Sequence, residues 1–300
     1  MLILPEKVEI IEVGPRDGLQ NEKSFVPTET KKEFIYALKN AGIKEMELTS
    51  FVSPKWVPQM GDAAVIVSDC LDDSTRNIVL APNKKGIERV YMTDCQAVAV
   101  FVGVSNTFNL KNINKTTEES LAELVPLIAE LKAKKYFVRA CISTSFYCPY
   151  EGKVDEDAVL ALCEEFVQAG VDELSVADTI GMAAPHESYS LFSRLKKAYP
   201  DLLLTAHFHD TRKFALANIF AALQAGVTRF DTSAGGLGGC PFAPGAAGNA
   251  ATEDVVYMLH RMGIETGIEL DKLLQAIEII KPHISRPIES TYFRMNSVSV

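Results

Sequence analysis

His207 and His209 close an apolar, β-branched run at residues 202–209. If that run is a strand, positions two apart face the same way, and both imidazoles point together past its end. Such a pair suits two ligands on one metal ion; the plainer reading is two polar side chains satisfied by water and backbone. Asp210 alternates to the opposite face, where it would cap the following helix. A second cluster, Gly14-Pro15-Arg16-Asp17-Gly18-Leu19-Gln20-Asn21-Glu22, follows an apolar run at 8–13 and gathers a guanidinium, a carboxylate and two amides in one loop. Conspicuous polar loops on a rigid scaffold bind ligands, although Gly and Asp also serve turn geometry. A third segment, 235–249, has six glycines in fifteen residues and ends on Asn249. Ordering so many glycines costs much entropy, which suits a lid ordered by a ligand and carrying Cys240 over the site. Cys240 could be a reactive thiol, though no neighbouring residue marks it as activated. A phosphate cradle is disfavoured, because no Lys follows and no GxGxxG occurs.

The elements that must position these groups recur. Eight short apolar runs lie at 8–13, 45–51, 77–81, 97–104, 137–144, 173–178, 202–209 and 229–233. Amphipathic helical patterns separate them at 28–42, 118–135, 155–170, 185–199, 212–226 and 252–263, several closing on Gly, and a further helix is expected at 271–284. Continuous apolar strands alternating with helices imply a parallel sheet covered on its outside. Eight units in this length fit a closed (β/α)8 barrel, the TIM barrel, better than an open doubly wound sheet. Catalytic groups in such barrels follow the C-terminal ends of strands, where all three unusual segments fall. Asp17, His207, His209 and Asn249 then converge from the first, seventh and eighth strands, which adjoin in a closed barrel. Two imidazoles, a carboxylate and an amide oxygen suit a divalent cation, Mg²⁺ or Mn²⁺ ahead of Zn²⁺. With Arg16 beside it, that cation could chelate a hydroxyl oxygen and stabilise a developing oxyanion.

Composition narrows the class. The net charge of −9 argues against nucleic acid as a partner, and 47% apolar with 23% charged residues is globular rather than disordered. The longest apolar run, 97–104, is too short to cross a bilayer, and the N-terminus lacks a basic, cleavable leader. Six cysteines without a CxxC pair read as reduced thiols, so a cytoplasmic protein is expected. No linker or repeat interrupts the chain, and residues 1–300 are expected to form a single catalytic barrel domain.

The segments GPRDGLQNE (14–22), ELTSFVSPKWVPQMGD (47–62), NINKTTEES (112–120), CPYEGKV (148–154), ADTIG (177–181), HFHDT (207–211) and GLGGCPFAPGAAGN (236–249) together resemble the 3-hydroxy-3-methylglutaryl-CoA lyase family. The likeness runs over roughly residues 8–281, and the GLGGCP…GN loop is its most discriminating part. The RDG and HxH elements are shared more widely among metal-dependent Claisen-type enzymes. The resemblance implies a TIM barrel that cleaves a 3-hydroxyacyl-CoA into acetyl-CoA and a keto acid, acetoacetate for the parent substrate. It implies metal ligands at Asp17, His207, His209 and Asn249, and catalytic groups at Arg16 and Cys240. Glu47 and Asp178 correspond to further active-site acids, Gln20 and Arg139 to supporting positions. Either Cys240 or His207 would protonate the product carbanion. A homodimer or higher homo-oligomer is the family habit.

Three stretches depart from that pattern: Phe146-Tyr147, Arg212-Lys213-Phe214, and 103–108. All are expected to face the barrel mouth, so the substrate is either hydroxymethylglutaryl-CoA or a close 3-hydroxyacyl-CoA analogue. A polyphosphate ligand needs local positive charge, for which Lys23, Lys55 and Lys111 are candidates, with Lys84, Lys85 and Lys115 nearby. The competing readings are a condensing synthase of the isopropylmalate or homocitrate type, disfavoured by the GLGGCP loop, and a non-catalytic barrel, which would need a broken metal ligand.

Overall fold

A computed structural model describes residues 4–239 and 248–296. Cys240, and with it the lid reading of its loop, lies outside the described residues. Eight parallel strands close a barrel: β1 (Glu9–Glu12), β2 (Glu45–Ser50), β3 (Arg76–Leu80), β4 (Ala97–Gly103), β5 (Phe137–Ser143), β8 (Glu173–Asp178), β9 (Leu203–Phe208) and β10 (Arg229–Thr232). A two-stranded hairpin, β6 (Tyr147–Cys148) with β7 (Gly152–Lys153), interrupts the alternation after β5. The eight barrel strands coincide with the eight apolar runs, because a strand buried on both faces reads as a continuous apolar stretch. The fold is a TIM barrel.

Helices cover the outside: α1 (Thr28–Asn40), α5 (Thr117–Ala133), α6 (Glu156–Gln168), α7 (Pro185–Ala198), α8 (Ala215–Gln224) and α9 (Thr252–Arg261). The start of α5 is fixed by a capping box between Thr116 and Glu119. α8 begins three residues later than its pattern suggests, because Lys213 takes a left-handed φ of 62° that a helix cannot absorb. The additional C-terminal helix is α10 (Leu270–Ile280), followed by the short α11 (Thr291–Asn296). Three short helices escape the periodicity: α2 (Ala63–Cys70), α3 (Lys84–Val90) and α4 (Asn106–Ile113). One or two turns are too few to display a 3.6-residue repeat.

The barrel interior is divided. Ile11, Val13, Ile78, Leu80, Ala97 and Ala99 form an apolar sector on β1, β3 and β4. Alternate residues of the other strands supply charge instead: Glu45 and Glu47 on β2, Arg139 on β5, Glu173 on β8, Arg229 and Asp231 on β10. Arg139 is fully buried and bonds Asp231, with Glu47 at 3.5 Å and Glu173 at 3.6 Å. Lower in the barrel, Arg229 pairs with Glu45 at 2.5 Å.

Glu12 faces the other way, into the layer between barrel and helices. One oxygen accepts from Gly14 N (2.7 Å) and Ala234 N (2.9 Å), the other from Thr252 Oγ1 (2.7 Å). A single carboxylate thereby ties together the chain after β1, the chain after β10 and the start of α9. Glu253 acts similarly, accepting from Gly235 N at 3.0 Å and from Ser290. Neither has a cationic partner within these contacts, and burial raises both carboxyls to about 7. An acid whose folded pKa exceeds its unfolded one binds extra protons in the folded state, so its contribution is lost as pH rises from about 4.5 to 7. For Glu12 this amounts to on the order of 2–3 kcal/mol. Glu12→Gln is expected to shrink the fall in unfolding free energy between pH 5 and pH 8, measured by denaturant titration, by about that amount. An identical fall in both proteins would contradict the assignment.

Candidate active site

The chain leaves β1 in a five-residue π-helical turn, Gly14–Gly18, an irregularity common at functional sites. Glu12 holds its first amide, and a Cβ at Gly14 would lie 2.6 Å from that carboxylate, so a side chain there would displace the bond. The turn presents Arg16 and Asp17. At the far side, Asp210 N donates to Gly248 O (2.8 Å) and Ala250 N to Phe208 O (3.0 Å), which docks the segment around Asn249 against the end of β9. Gly238, at φ 110°, runs so close that a Cβ there would meet Asn249 Nδ2 at 2.6 Å. His207 projects inward from β9, and His209 follows it just past the strand end, the ring centroids 5.2 Å apart. Asp210 accepts from Ala215 N at the start of α8 (3.1 Å), the capping role its alternation predicts.

One donor atom each from Asp17, His207 and His209 lie within 4.8 Å of one another. Asn249 spends its amide donors on Asp17 Oδ2 (2.8 Å) and Leu237 O (3.0 Å); its Oδ1 is buried with no hydrogen-bond partner among the described residues. His209 Nδ1 is equally buried and unpaired. Orphaned acceptors are costly unless a ligand satisfies them. Charge points the same way: five carboxylates (Asp17, Glu45, Glu47, Glu173, Asp231) meet four guanidiniums (Arg16, Arg76, Arg139, Arg229), which leaves carboxylate in excess. A divalent cation fits this donor set in number, type and sign.

The protonation states agree. Burial opposes ionisation of Asp17, but the adjacent Arg16 guanidinium and the two imidazoles bring its carboxyl down to about 2. Burial, then the neighbouring His207, pushes His209 down to about 4 and keeps it a neutral ligand. His207 is also disfavoured as a cation by burial, yet the Asp231 carboxylate, 3.1 Å from Nδ1, raises it above the ordinary histidine value. That bond leaves Nε2 to face the site, the arrangement that orients metal-binding histidines. Arg16 is fixed by Glu47, through Nε at 2.6 Å and through Nη2, and by Asp17 through Nη1 at 2.6 Å. Gln20 adds a bond to Asp17 at 3.1 Å.

These groups floor a cavity of about 670 Å³, whose lining includes Arg16, Asp17, Gln20, His207, His209 and Asp231. Glu47 and Arg139 lie buried beneath it. Asp178 is also buried, its oxygens accepting from Met182 N (3.0 Å) and Ala183 N (2.9 Å), so it holds the turn after β8; burial raises it to about 6. Lys111 lines the cavity near its rim, whereas Lys23 and Lys55 are exposed residues outside the lining. The departures expected at the mouth are placed otherwise. Phe146 packs between Phe192 of α7 and Phe208, behind the barrel wall, because bulky rings find their burial between sheet and helix. Tyr147 bonds Glu187 of α7, Arg212 bonds the carbonyls of Ile180 and Gly181, and Phe214 is exposed. From the third stretch only Phe108 lines the cavity. Asp231, Ser175 and Cys141 were not singled out by sequence, although polar residues at alternate positions of apolar strands mark them. Burial drives the Cys141 thiol up to about 12, so it stays protonated.

Asp231→Asn should weaken Mn²⁺ binding 10- to 100-fold, read by EPR titration of free Mn²⁺. It should also cost roughly 3 kcal/mol of stability by leaving Arg139 short of a counter-charge. Native Mn²⁺ affinity in the variant would detach Asp231 from the site.

Comparison with known proteins supplies the lineage. The family model described as HMGL-like matches residues 7–280. The hydroxymethylglutaryl-CoA lyase YngG of Bacillus subtilis is 45% identical over 95% of this chain and 96% of its own. A crystal structure of a Bacillus subtilis HMG-CoA lyase superposes with a TM-score of 0.95 at 43% identity, covering 98% of this chain and 99% of that one. An HMG-CoA lyase from Acinetobacter baumannii, solved in complex with coenzyme A and 3-methylmalate, gives a TM-score of 0.92 at 36% identity, covering 99% and 97%. With the match spanning nearly all of its length, the chain belongs to the HMGL-like family.

Proposed function

We propose that this chain catalyses the divalent-metal-dependent retro-Claisen cleavage of 3-hydroxy-3-methylglutaryl-CoA, or a close 3-hydroxyacyl-CoA analogue, to acetyl-CoA and acetoacetate or the matching keto acid. The observation that carries the reading is the cluster of Asp17, His207 and His209 with the orphaned Asn249 oxygen, directly beside a fixed Arg16. Mg²⁺ or Mn²⁺ held by these four residues would supply Lewis acidity toward the substrate's tertiary hydroxyl and distal carboxylate. A single barrel domain acting in the cytoplasm, with reduced thiols, accords with the five described cysteines being free.

The chain's own residues do the rest. A guanidinium has five N–H donors, and Arg16 commits three to Glu47 and Asp17, which leaves two for the thioester oxygen. Transfer of the hydroxyl proton to solvent at the cavity mouth lets the carbinol oxygen form a ketone as the bond from its carbon to the thioester α-carbon breaks. The electron pair passes into the thioester enolate, whose oxygen Arg16 stabilises. Proton delivery to that α-carbon, from Cys240 or, when its Nε2 is not on the metal, from His207, yields acetyl-CoA. Glu47 keeps Arg16 in register; Arg139 and Asp231 hold the His207 ring; Asp178 fixes the turn that follows β8. Removing a donor placed like Arg16 typically raises a barrier by ~3–4 kcal/mol.

Incubated with hydroxymethylglutaryl-CoA and Mg²⁺ or Mn²⁺, the protein should form acetyl-CoA, and chelation should abolish turnover. Arg16→Gln should lower kcat on the order of 10²-fold or more with metal content intact. Near-native turnover would remove Arg16 from the mechanism. Acetyl-CoA with 2-oxo acids should release no free thiol; release would make the protein a synthase.

A further inference from the structure

Two of the stretches that depart from the family pattern, 146–147 and 212–214, lie far apart in the sequence, yet both reach one turn, the connection 179–184 from β8 to α7. Arg212 donates through Nη1 to Ile180 O (2.8 Å) and Gly181 O (3.2 Å) near its start. At its end, one oxygen of Glu187 accepts from Ala184 N (3.0 Å), and the other from Tyr147 Oη (2.9 Å) and Lys153 Nζ (2.8 Å). Asn218 Nδ2 of α8 donates to Ala183 O between them (2.8 Å).

The turn so held is pressed against the chain that carries His209. His209 N donates to Asp178 O at 3.3 Å. Gly181, at φ 61°, comes so close that a Cβ there would lie 2.7 Å from His209 O and 3.0 Å from Thr211 N. Residues 209–212 therefore wrap the turn, bonded to it at His209 and again, three residues later, at Arg212. Lys213 follows at a left-handed φ of 62°, a conformation that a lysine keeps where its surroundings impose it. The strand places His207, but His209 lies beyond the end of β9. Its place depends on the connections that flank it, the segment around Asn249 on one side and the β8 turn on the other.

Resting on the metal site proposed above, we infer that Arg212 is a positioning residue for His209. It fastens the chain beyond β9 to the turn beyond β8, and so sets where the His209 ring stands relative to Asp17 and His207. Its bonds are charge-assisted and stronger than neutral ones. Tyr147, through Glu187, fixes the other end of the turn and gives Arg212 a rigid anchor. The two departures thus form one device.

Arg212 is an exposed residue, so truncating it opens no cavity in the core. Arg212→Ala should weaken Mn²⁺ binding on the order of tenfold, read by EPR titration of free Mn²⁺, while the melting temperature of the metal-free protein stays close to native. Arg212→Lys should recover much of the loss. Ethylguanidinium, which replaces the missing group, should restore affinity to Arg212→Ala and leave the native chain unchanged. Gly181→Ala should weaken Mn²⁺ as well, by pushing on the His209 carbonyl. Native Mn²⁺ affinity in Arg212→Ala or Gly181→Ala, or a loss in Arg212→Ala that neither lysine nor ethylguanidinium recovers, would overturn the positioning role alone. No Mn²⁺ binding by the native chain would overturn the metal reading and this inference with it.

Discussion

The structure turns on a guanidinium where charge is most expensive. Arg139 is wholly buried inside the barrel, and only the surrounding carboxylates make that tolerable. Replacing such a cluster with apolar side chains would commonly be neutral or stabilising, so stability alone does not account for it. Its geometry does. Asp231, held by Arg139, reaches His207 Nδ1, while Glu47, near the same guanidinium, grips Arg16. One buried cation thus sets the positions of His207 and of Arg16, the imidazole and the guanidinium on which the proposed reaction rests. Asp17 and Asp231 line the cavity, where a cation can reach them.

A second kind of constraint acts from outside the barrel. Strands deliver His207 with the precision of the sheet, but Asp17 and Asn249 sit on connections that leave it. The carboxylates of Glu12 and Glu253 bind the amides of those connections from behind, as neutral or weakly ionised acids rather than as ion-pair partners. The backbone pairing of 248–250 with the end of β9 completes the frame. Candidate ligands drawn partly from loops therefore have supports nearly as well buried as the core itself.

Much of this was legible in the sequence, for reasons that can be named. Doubly buried parallel strands write themselves as apolar runs, so all eight were visible; the two-residue spacing of His207 and His209 announced a shared direction. Arg16, Asp17 and Asn249 stood out because loops carry few constraints beyond function. The charged half of the interior was harder. Glu173, Arg229 and Asp231 sit singly inside apolar strands, and their partners are distant in sequence, so only closure of the barrel brings them together. Short helices such as α2 carry too little periodicity to be seen. Phe146 misled because a loop position next to a strand end can turn outward as readily as inward.

The most direct test is where a cation binds. Crystals grown with Mn²⁺ and measured near its absorption edge should show one strong anomalous peak within coordinating reach of Asp17, His207, His209 and Asn249 Oδ1. No peak there, or a peak held by other residues while these four remain hydrogen-bonded to protein, would contradict the account.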